Sequence, residues 1–453
     1  MAHDPGQHNL PGGNELARAL RPFLGPVSIE GLTRLSGGAS KETWSFDAAG
    51  ADGLLTPLIL RRDPPGRPGE PGAVDREAAA IRLAHDAGLP VPEMLLCFSG
   101  PAPEEDRAQG KTVHKGRPGA REVRSALGTA GMVMRRVEGE TIARRILRDP
   151  QYAPARRVLV SQLGEFAARL HALPRPAFLP EPDPLATLRG QLETFGRPSA
   201  VFELALAELE RDLPPPREPV LLHGDFRLGN LIVGPEGMRA VLDWELTHAG
   251  NPAEDLGWLC VKAWRFGISA PVAGLGIREE LLAAYSAAGG ADISLAELRW
   301  WEIMGTLRWG VICLTQAAAH LSGAHRSVEL AAIGRRVCEQ EWDLLLLLRP
   351  DEAAAAAQRR PRLSGAPADE PALHGRPTAS ELLAAVREYL LTGVLPATSG
   401  QLAFHARVAA NALAIVAREL ELGPFPAGAA LADVVAARLA VANPKYFETA
   451  PLP

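Results

Sequence analysis

The segment Val220–Glu245, VLLHGDFRLGNLIVGPEGMRAVLDWE, constrains this chain more than any other stretch. Asp225 and Asn230 are separated by four residues, and both end in oxygen-bearing side chains. Leu231–Val233 and Met238–Leu242 read as two short strands joined by the turn Gly234-Pro235-Glu236-Gly237. Glycine and proline at those positions favour a tight reversal. A hairpin there returns Asp243 to the side of Asn230. Asp225, Asn230 and Asp243 therefore converge, with Arg227 two residues after the first and Glu245 two residues after the last.

Such a set suits phosphoryl transfer. A carboxylate must orient and accept the proton of an attacking hydroxyl, two further oxygens must hold Mg²⁺ on nucleotide phosphates, and a cation must offset phosphate charge. Asp225 fits the base, Asn230 and Asp243 fit the metal ligands, and Arg227 is placed to reach a γ-phosphate. HGDFRLGN followed by VLDWE resembles the catalytic loop and metal motif of the aminoglycoside phosphotransferase and choline kinase-like family. In that family HGD stands where protein kinases carry HRD, and a D-x-D/E pattern replaces DFG. The resemblance implies ATP and Mg²⁺ as cofactors. It makes His223 a residue that shapes the loop and Glu245 an acid near substrate or metal. In GNPAEDLGWL it makes Asp255 a structural acceptor of hydrogen bonds from the catalytic loop. A charge at a helix N-terminus is the plain alternative for Asp255.

The resemblance extends upstream. LSGGASKETWSF is similar to the hairpin that covers the phosphates, with Gly37 and Gly38 letting backbone N–H groups approach phosphate oxygens. LILRRDPPG stands where kinases place the lysine of V-A-I-K, and Arg61 occupies that position. Arginine pairs with phosphate bidentately, and alternation along Leu58–Leu60 puts Arg61 rather than Arg62 on the inward face. Glu77, in the helix expected over Asp75–Ala87, matches the acid that orients this cation. MVMRRVEGE resembles the interlobe hinge, where backbone groups near Met134 and Arg136 would bind adenine.

The fold expected is α+β: a bilobal protein-kinase-like fold with a β-rich N-lobe and a helical C-lobe, plus a small all-α C-terminal domain. The divisions expected are a tail and short helix over 1–24, a nucleotide-binding lobe over 25–137 with a basic insertion at about 101–124, and a helical lobe over 138–349. A linker over 350–376 and a helical domain over 377–453 follow. The linker rests on the five prolines of 350–377, and the last domain opens on the capping-box pattern Thr378-Ala379-Ser380-Glu381. That domain is expected to serve self-association or a partner contact. His405 and Asn411 on its second helix read as helix-surface polar residues.

Seven of eight tryptophans lie between Trp244 and Trp342, and Trp300, Trp301, Trp309 and Arg308 share one long helix expected over Ser294–His320. Most read as core; Trp301 and Arg308 are the candidates for lining an acceptor pocket. The formal charge of −5 gives no reason to expect nucleic acid or a membrane surface as partner. No apolar run approaches the roughly 18–20 residues of a membrane span. The N-terminus lacks a basic start and apolar core, so a cytoplasmic location is expected. Cys97, Cys260, Cys313 and Cys338 form no CxxC motif and read as separate thiols.

The reaction expected is ATP-dependent transfer to a hydroxyl of a small metabolite, a hydroxyacyl-type compound carried on coenzyme A being the acceptor proposed. The basic stretch Arg107–Arg124 would suit that polyanion. A nucleotide-binding pseudokinase and an aminoglycoside-modifying kinase are the alternatives. The intact Asp225, Asn230 and Asp243 disfavour the first, and the lack of an acidic cluster disfavours the second. A hydrolase lacks its G-x-S-x-G elbow and a P-loop NTPase its G-x-x-x-x-G-K-[ST].

Overall fold

Alternation decides the first half of the chain. Along Glu42–Gly50 every second side chain, from Glu42 through Trp44, Phe46 and Ala48, is buried, while Thr43, Ser45 and Asp47 are half-buried. A period of two is what a strand with two unlike faces requires. The structure, a computed structural model, describes residues 12–35, 41–64, 69–98, 129–195, 199–366, 377–425 and 428–448. Gly37, Gly38 and the basic stretch Arg107–Arg124 lie outside them.

The described residues group into two compact units. The first comprises Met1–Glu181, Glu218–Asp255 and Ala283–Ala291. It opens with helix α1 (Gly13–Leu24) and the strands β1 (Val27–Arg34), β2 (Glu42–Gly50) and β3 (Leu55–Arg62). Helix α2 (Ala73–Asp86), β4 (Met94–Phe98) and β5 (Gly131–Arg135) follow. The five strands form one antiparallel sheet in the order β1-β2-β3-β5-β4. One face carries Trp44, Phe46, Leu58, Leu60 and Val133, and packs on Leu16, Ala19 and Leu20 of α1. Arg62 lies on this face, buried, with its guanidinium on Glu42 and over the Trp44 ring. Arg61 falls on the other face, as alternation requires.

The unit continues with α3 (Ala143–Arg148) and α4 (Ala153–His171). Two short antiparallel ribbons complete it. β6 (Val220–Leu222) pairs with β9 (His248–Gly250), and β7 (Leu231–Gly234) pairs with β8 (Gly237–Val241).

The second unit comprises Pro182–Arg217, Leu256–Leu282 and Asp292–Pro453. Its helices are α5 (Pro184–Thr194) and α6 (Ala200–Arg211), parts of α7 (Ala253–Cys260) and α8 (Arg278–Ala287), and the long α9 (Leu295–Leu321). Then come α10 (Val328–Gly334), α11 (Val337–Leu348), α12 (Pro350–Arg359), α13 (Ala379–Tyr389), α14 (Gly400–Leu422) and α15 (Leu431–Ala442).

Two expectations are corrected here. The proline-rich tract from 350 begins as a helix, not as a linker. Pro350 sits in the first turn, where a missing N–H costs nothing, and the alanine run behind it is the best helix former available. Ala353 and Ala356 are fully buried, and α12 packs against α11 and α15. Residues 377–453 are likewise not separate from the helical lobe, because α15 also packs against α11 and buries Val435, Ala436, Leu439 and Ala440. The capping box at Thr378 and Glu381 is present as expected. His405 is half-buried and Asn411 is exposed.

The aromatic content of α9 packs the second unit. Trp264 packs at a tilt against both Trp258 and Trp309, and Trp300 meets Trp301 edge-on. Inside lies a charge that the sequence did not announce. Glu302 is buried and takes the guanidinium of Arg265 at 2.7 Å and that of Arg278 at 2.8–3.0 Å. Removing one member of such a set leaves buried charge uncompensated, so Glu302→Ala is expected to destabilise the chain by about 3–5 kcal/mol. Urea unfolding checks this, and a loss below about 1 kcal/mol would show the set to be solvated.

The four cysteines are free, and burial pushes their thiols up to about 12, which removes them as nucleophiles near neutrality. Among the described residues no helix is long and apolar enough to cross a membrane.

Candidate active site

The site is built on the two ribbons of the first unit. Leu231 pairs with Val241 across β7 and β8, and the Leu242 N–H donates to the Asn230 carbonyl at 2.8 Å. The hairpin thus carries Asp243 back beside Asn230. Asp243 has φ +67, a left-handed backbone that Asp tolerates better than most residues. Its carboxylate accepts from the Arg61 Nη2 at 2.6 Å. Burial alone would raise the pKa of Asp243, but the Arg61 charge and hydrogen bond hold it below the usual carboxylate range.

Asp225 is held from two sides. Arg227 Nε donates to both carboxylate oxygens at 2.9 and 3.1 Å, and Asn230 Nδ2 donates to Oδ2 at 2.6 Å. The same amide nitrogen donates to the Asp225 carbonyl at 2.9 Å. Arg227 was expected to reach outward to a phosphate; here it folds back on Asp225. Its extended backbone, φ −152 and ψ 161, puts residues two apart on one side.

Beneath the loop, hydrogen bonds fix every turn. The His223 and Gly224 N–H groups donate to the two oxygens of Asp255 at 2.8 and 2.9 Å. His223 Nδ1 accepts from the Asp225 N–H at 3.1 Å, so Nε2 carries the proton and donates to the Leu242 carbonyl at 2.9 Å. His223 therefore ties the Asp225 loop to the residue preceding Asp243. Its ring packs on Trp244 and Phe226, and Phe166 closes that floor. Gly224 has φ +81, and a Cβ there would lie 2.2 Å from the Leu246 carbonyl. Gly224→Ala is thus expected to cost more than the roughly 1–2 kcal/mol of a left-handed backbone alone. Thermal unfolding measures it, and an unchanged melting temperature would contradict this account of the loop.

On the sheet side, Arg61 Nη1 donates to Glu77 at 2.8 Å, and Glu245 lies 3.9 Å from Nη2. A second cation was missed. Lys41, just before β2, pairs with the other Glu77 oxygen. Met134 is buried in β5, between β3 and β4. The N–H groups of Arg135 and Arg136 donate to the carbonyls of Glu93 and Pro57, so those two donors are engaged within the protein rather than offered to an adenine. The Arg136 guanidinium bonds Ser45, Asp47 and Glu138.

Asp255 is buried beneath the loop whose two N–H groups it receives. It also accepts from His171 Nε2 at 3.3 Å, and His171 Nδ1 accepts from the Tyr285 hydroxyl at 2.9 Å. Burial would raise its pKa; the His171 hydrogen bond, with those from the loop backbone, holds it low. Trp301 and Arg308 belong to the second unit. Trp301 packs over Gly257, where a Cβ would lie 2.4 Å from the Trp301 Cβ, and Arg308 stacks on Trp258 at 5.1 Å.

Asp225, Asn230 and Asp243 are thus gathered on one loop and hairpin, with Arg61 and Lys41 meeting Glu77 beside them. A family model described as "phosphotransferase enzyme family" matches residues 31–301. The chain belongs to this family. The kinase-like fold of the phosphotransferase domain is shared with a solved aminoglycoside phosphotransferase, so described, from Ralstonia eutropha JMP134. That pair is 18% identical, with a TM-score of 0.53 over 74% of this chain and 98% of that one. It is also shared with a spectinomycin phosphotransferase solved with ADP and spectinomycin, at 14% identity, a TM-score of 0.50, and coverage of 74% and 98%. Among curated proteins, acyl-CoA dehydrogenase family member 11 of Gallus gallus is 29% identical over 391 residues, 76% of this chain and 45% of that protein. The Homo sapiens protein of that name is 30% identical over 217 residues, 44% and 24% respectively. The chain spans less than half the length of these curated relatives. A second model, a domain of unknown function, matches residues 396–432.

Proposed function

We propose that the chain moves the γ-phosphoryl group of ATP onto a hydroxyl of a small metabolite. The carrying observation is the Asp225 carboxylate, pinned by Arg227 and Asn230 on the loop whose hairpin delivers Asp243. The nucleotide is supported by the relative solved with ADP.

Asp225 orients the acceptor hydroxyl and takes its proton as the oxygen attacks phosphorus. The bond from phosphorus to the bridging oxygen breaks, and ADP leaves with that electron pair. Magnesium fits the residues present. Asn230 commits its amide nitrogen to Asp225, so its oxygen is the atom that would hold a cation, and Asp243 is held ionised beside Arg61. Among the described residues no group of three or more His, Cys, Asp or Glu is arranged for a metal. A magnesium ion held by one or two side chains and completed by phosphate oxygens needs no such group. When bound, the ion would neutralise charge on the phosphates.

For the acceptor we propose a hydroxyacyl compound. The curated relatives are named for acyl-CoA dehydrogenases, and the part of them that this chain does not span would share a substrate pool with the part it does. The test is a metabolite extract incubated with labelled ATP, comparing wild type with Asp225→Asn. Label appearing in an acyl species only with wild type supports the reading. Label in an amino sugar would replace the acceptor, and no transfer to any species would remove the enzyme reading.

A further inference from the structure

The acid that holds Arg61 holds two cations, and they are not equivalent. Glu77 on α2 is 1% exposed; its Oε1 takes Arg61 and its Oε2 takes Lys41, itself 8% exposed. The sheet register explains the meeting. Thr43 is paired with Arg61 across β2 and β3, and Lys41 lies two residues before Thr43. From the bend just before β2, Lys41 reaches the same Glu77 on α2 that Arg61 reaches from β3.

Their commitments differ. Arg61 spends one arm on Glu77 and the other on Asp243 at 2.6 Å, with Glu245 at 3.9 Å. A planar guanidinium stretched between two carboxylates has its geometry fixed by them. Lys41 carries three ammonium hydrogens on a flexible stem, and Glu77 takes one of them.

Building on the ATP reading above, we propose that Lys41 is the side chain that binds the nucleotide phosphates, and that Arg61 is a positioning residue that holds the Asp243 carboxylate. The phosphate-binding lysine has thus moved from β3, where Arg61 now stands, to the start of β2. Glu77 serves both.

Calorimetric titration of the full chain with ATP and with adenosine tests this. Lys41→Met is expected to weaken ATP by about 10- to 100-fold, the worth of one charge-assisted hydrogen bond, while adenosine binding stays within about twofold. Lys41→Arg, which keeps the charge, is expected to restore most of the ATP affinity. If Lys41→Met does not fold, Lys41→Gln, which can still bond Glu77, gives the same comparison. Arg61→Lys is expected to lower kcat while the ATP dissociation constant changes by less than about threefold. Unchanged ATP affinity in Lys41→Met or Lys41→Gln, or a loss of ATP affinity confined to Arg61→Lys, would overturn the assignment and leave the ATP reading standing. A wild-type chain that binds ATP no better than adenosine would remove that reading and this assignment together.

Discussion

Asp225→Asn is expected to lower turnover by about 10²- to 10⁴-fold, the usual contribution of a positioned general base, with the ATP dissociation constant nearly unchanged. Asparagine keeps the shape and one acceptor oxygen, so either Arg227 or Asn230 still has a partner. What is lost is the capacity to take the hydroxyl proton. Alanine would be a poorer choice, because it releases the Asn230 amide and Arg227 together and so disturbs the metal ligand as well as the base. Initial rates of labelled phosphate transfer at saturating ATP measure the effect. Turnover within about fivefold of wild type would mean that Asp225 neither orients nor deprotonates the acceptor, and the proposed mechanism would fail.

The parts of this site that were legible in the sequence are those set by local geometry. The four residues between Asp225 and Asn230, and the Gly-Pro-Glu-Gly turn that folds β7 onto β8, lie within one short stretch and need no distant partner. Arg61 was readable for the same reason, since strand alternation fixes its face. The elements with clear periodicity also emerged where expected: the helix expected over Asp75–Ala87 spans Ala73–Asp86, and the one expected over Ser294–His320 spans Leu295–Leu321. What stayed hidden depends on contacts between distant residues. Lys41 reads as an ordinary lysine after a glycine turn until Glu77, 36 residues on, is seen to receive it. His171 reaches Asp255 from α4 and is itself bonded by Tyr285 from α8, and nothing in either local sequence signals a buried polar role. Glu302 sits in an apolar, tryptophan-rich helix, and its pairing with Arg265 and Arg278 is purely tertiary. The helix α12 hides behind its proline, which breaks a helix interior but is tolerated in the first turn, where Pro350 stands.

Asp255→Asn carries an expected effect on stability as large as that of Glu302→Ala. The carboxylate is 1% exposed and accepts from the His223 and Gly224 N–H groups and from His171. All of its partners are donors. An amide in its place keeps one acceptor oxygen and turns an NH₂ group toward the other donors, so at least one buried N–H faces another. The loss expected is about 3–5 kcal/mol, as for a broken buried charge network. The pH dependence follows in sign. The folded-state pKa of Asp255 is depressed below its unfolded value, so its contribution is fully present above the unfolded value, near about 4. It is lost as pH falls through the lower folded-state pKa. Acid unfolding of wild type should therefore show a contribution that Asp255→Asn lacks, with the two stability curves converging below the usual carboxylate range. Parallel curves would assign the stability to groups other than Asp255. Because Gly224 and His223 hang directly from this carboxylate, the variant should also lose turnover at temperatures where it remains folded, as the Asp225 loop loosens. A fully active, merely less stable variant would separate Asp255 from the positioning of the base.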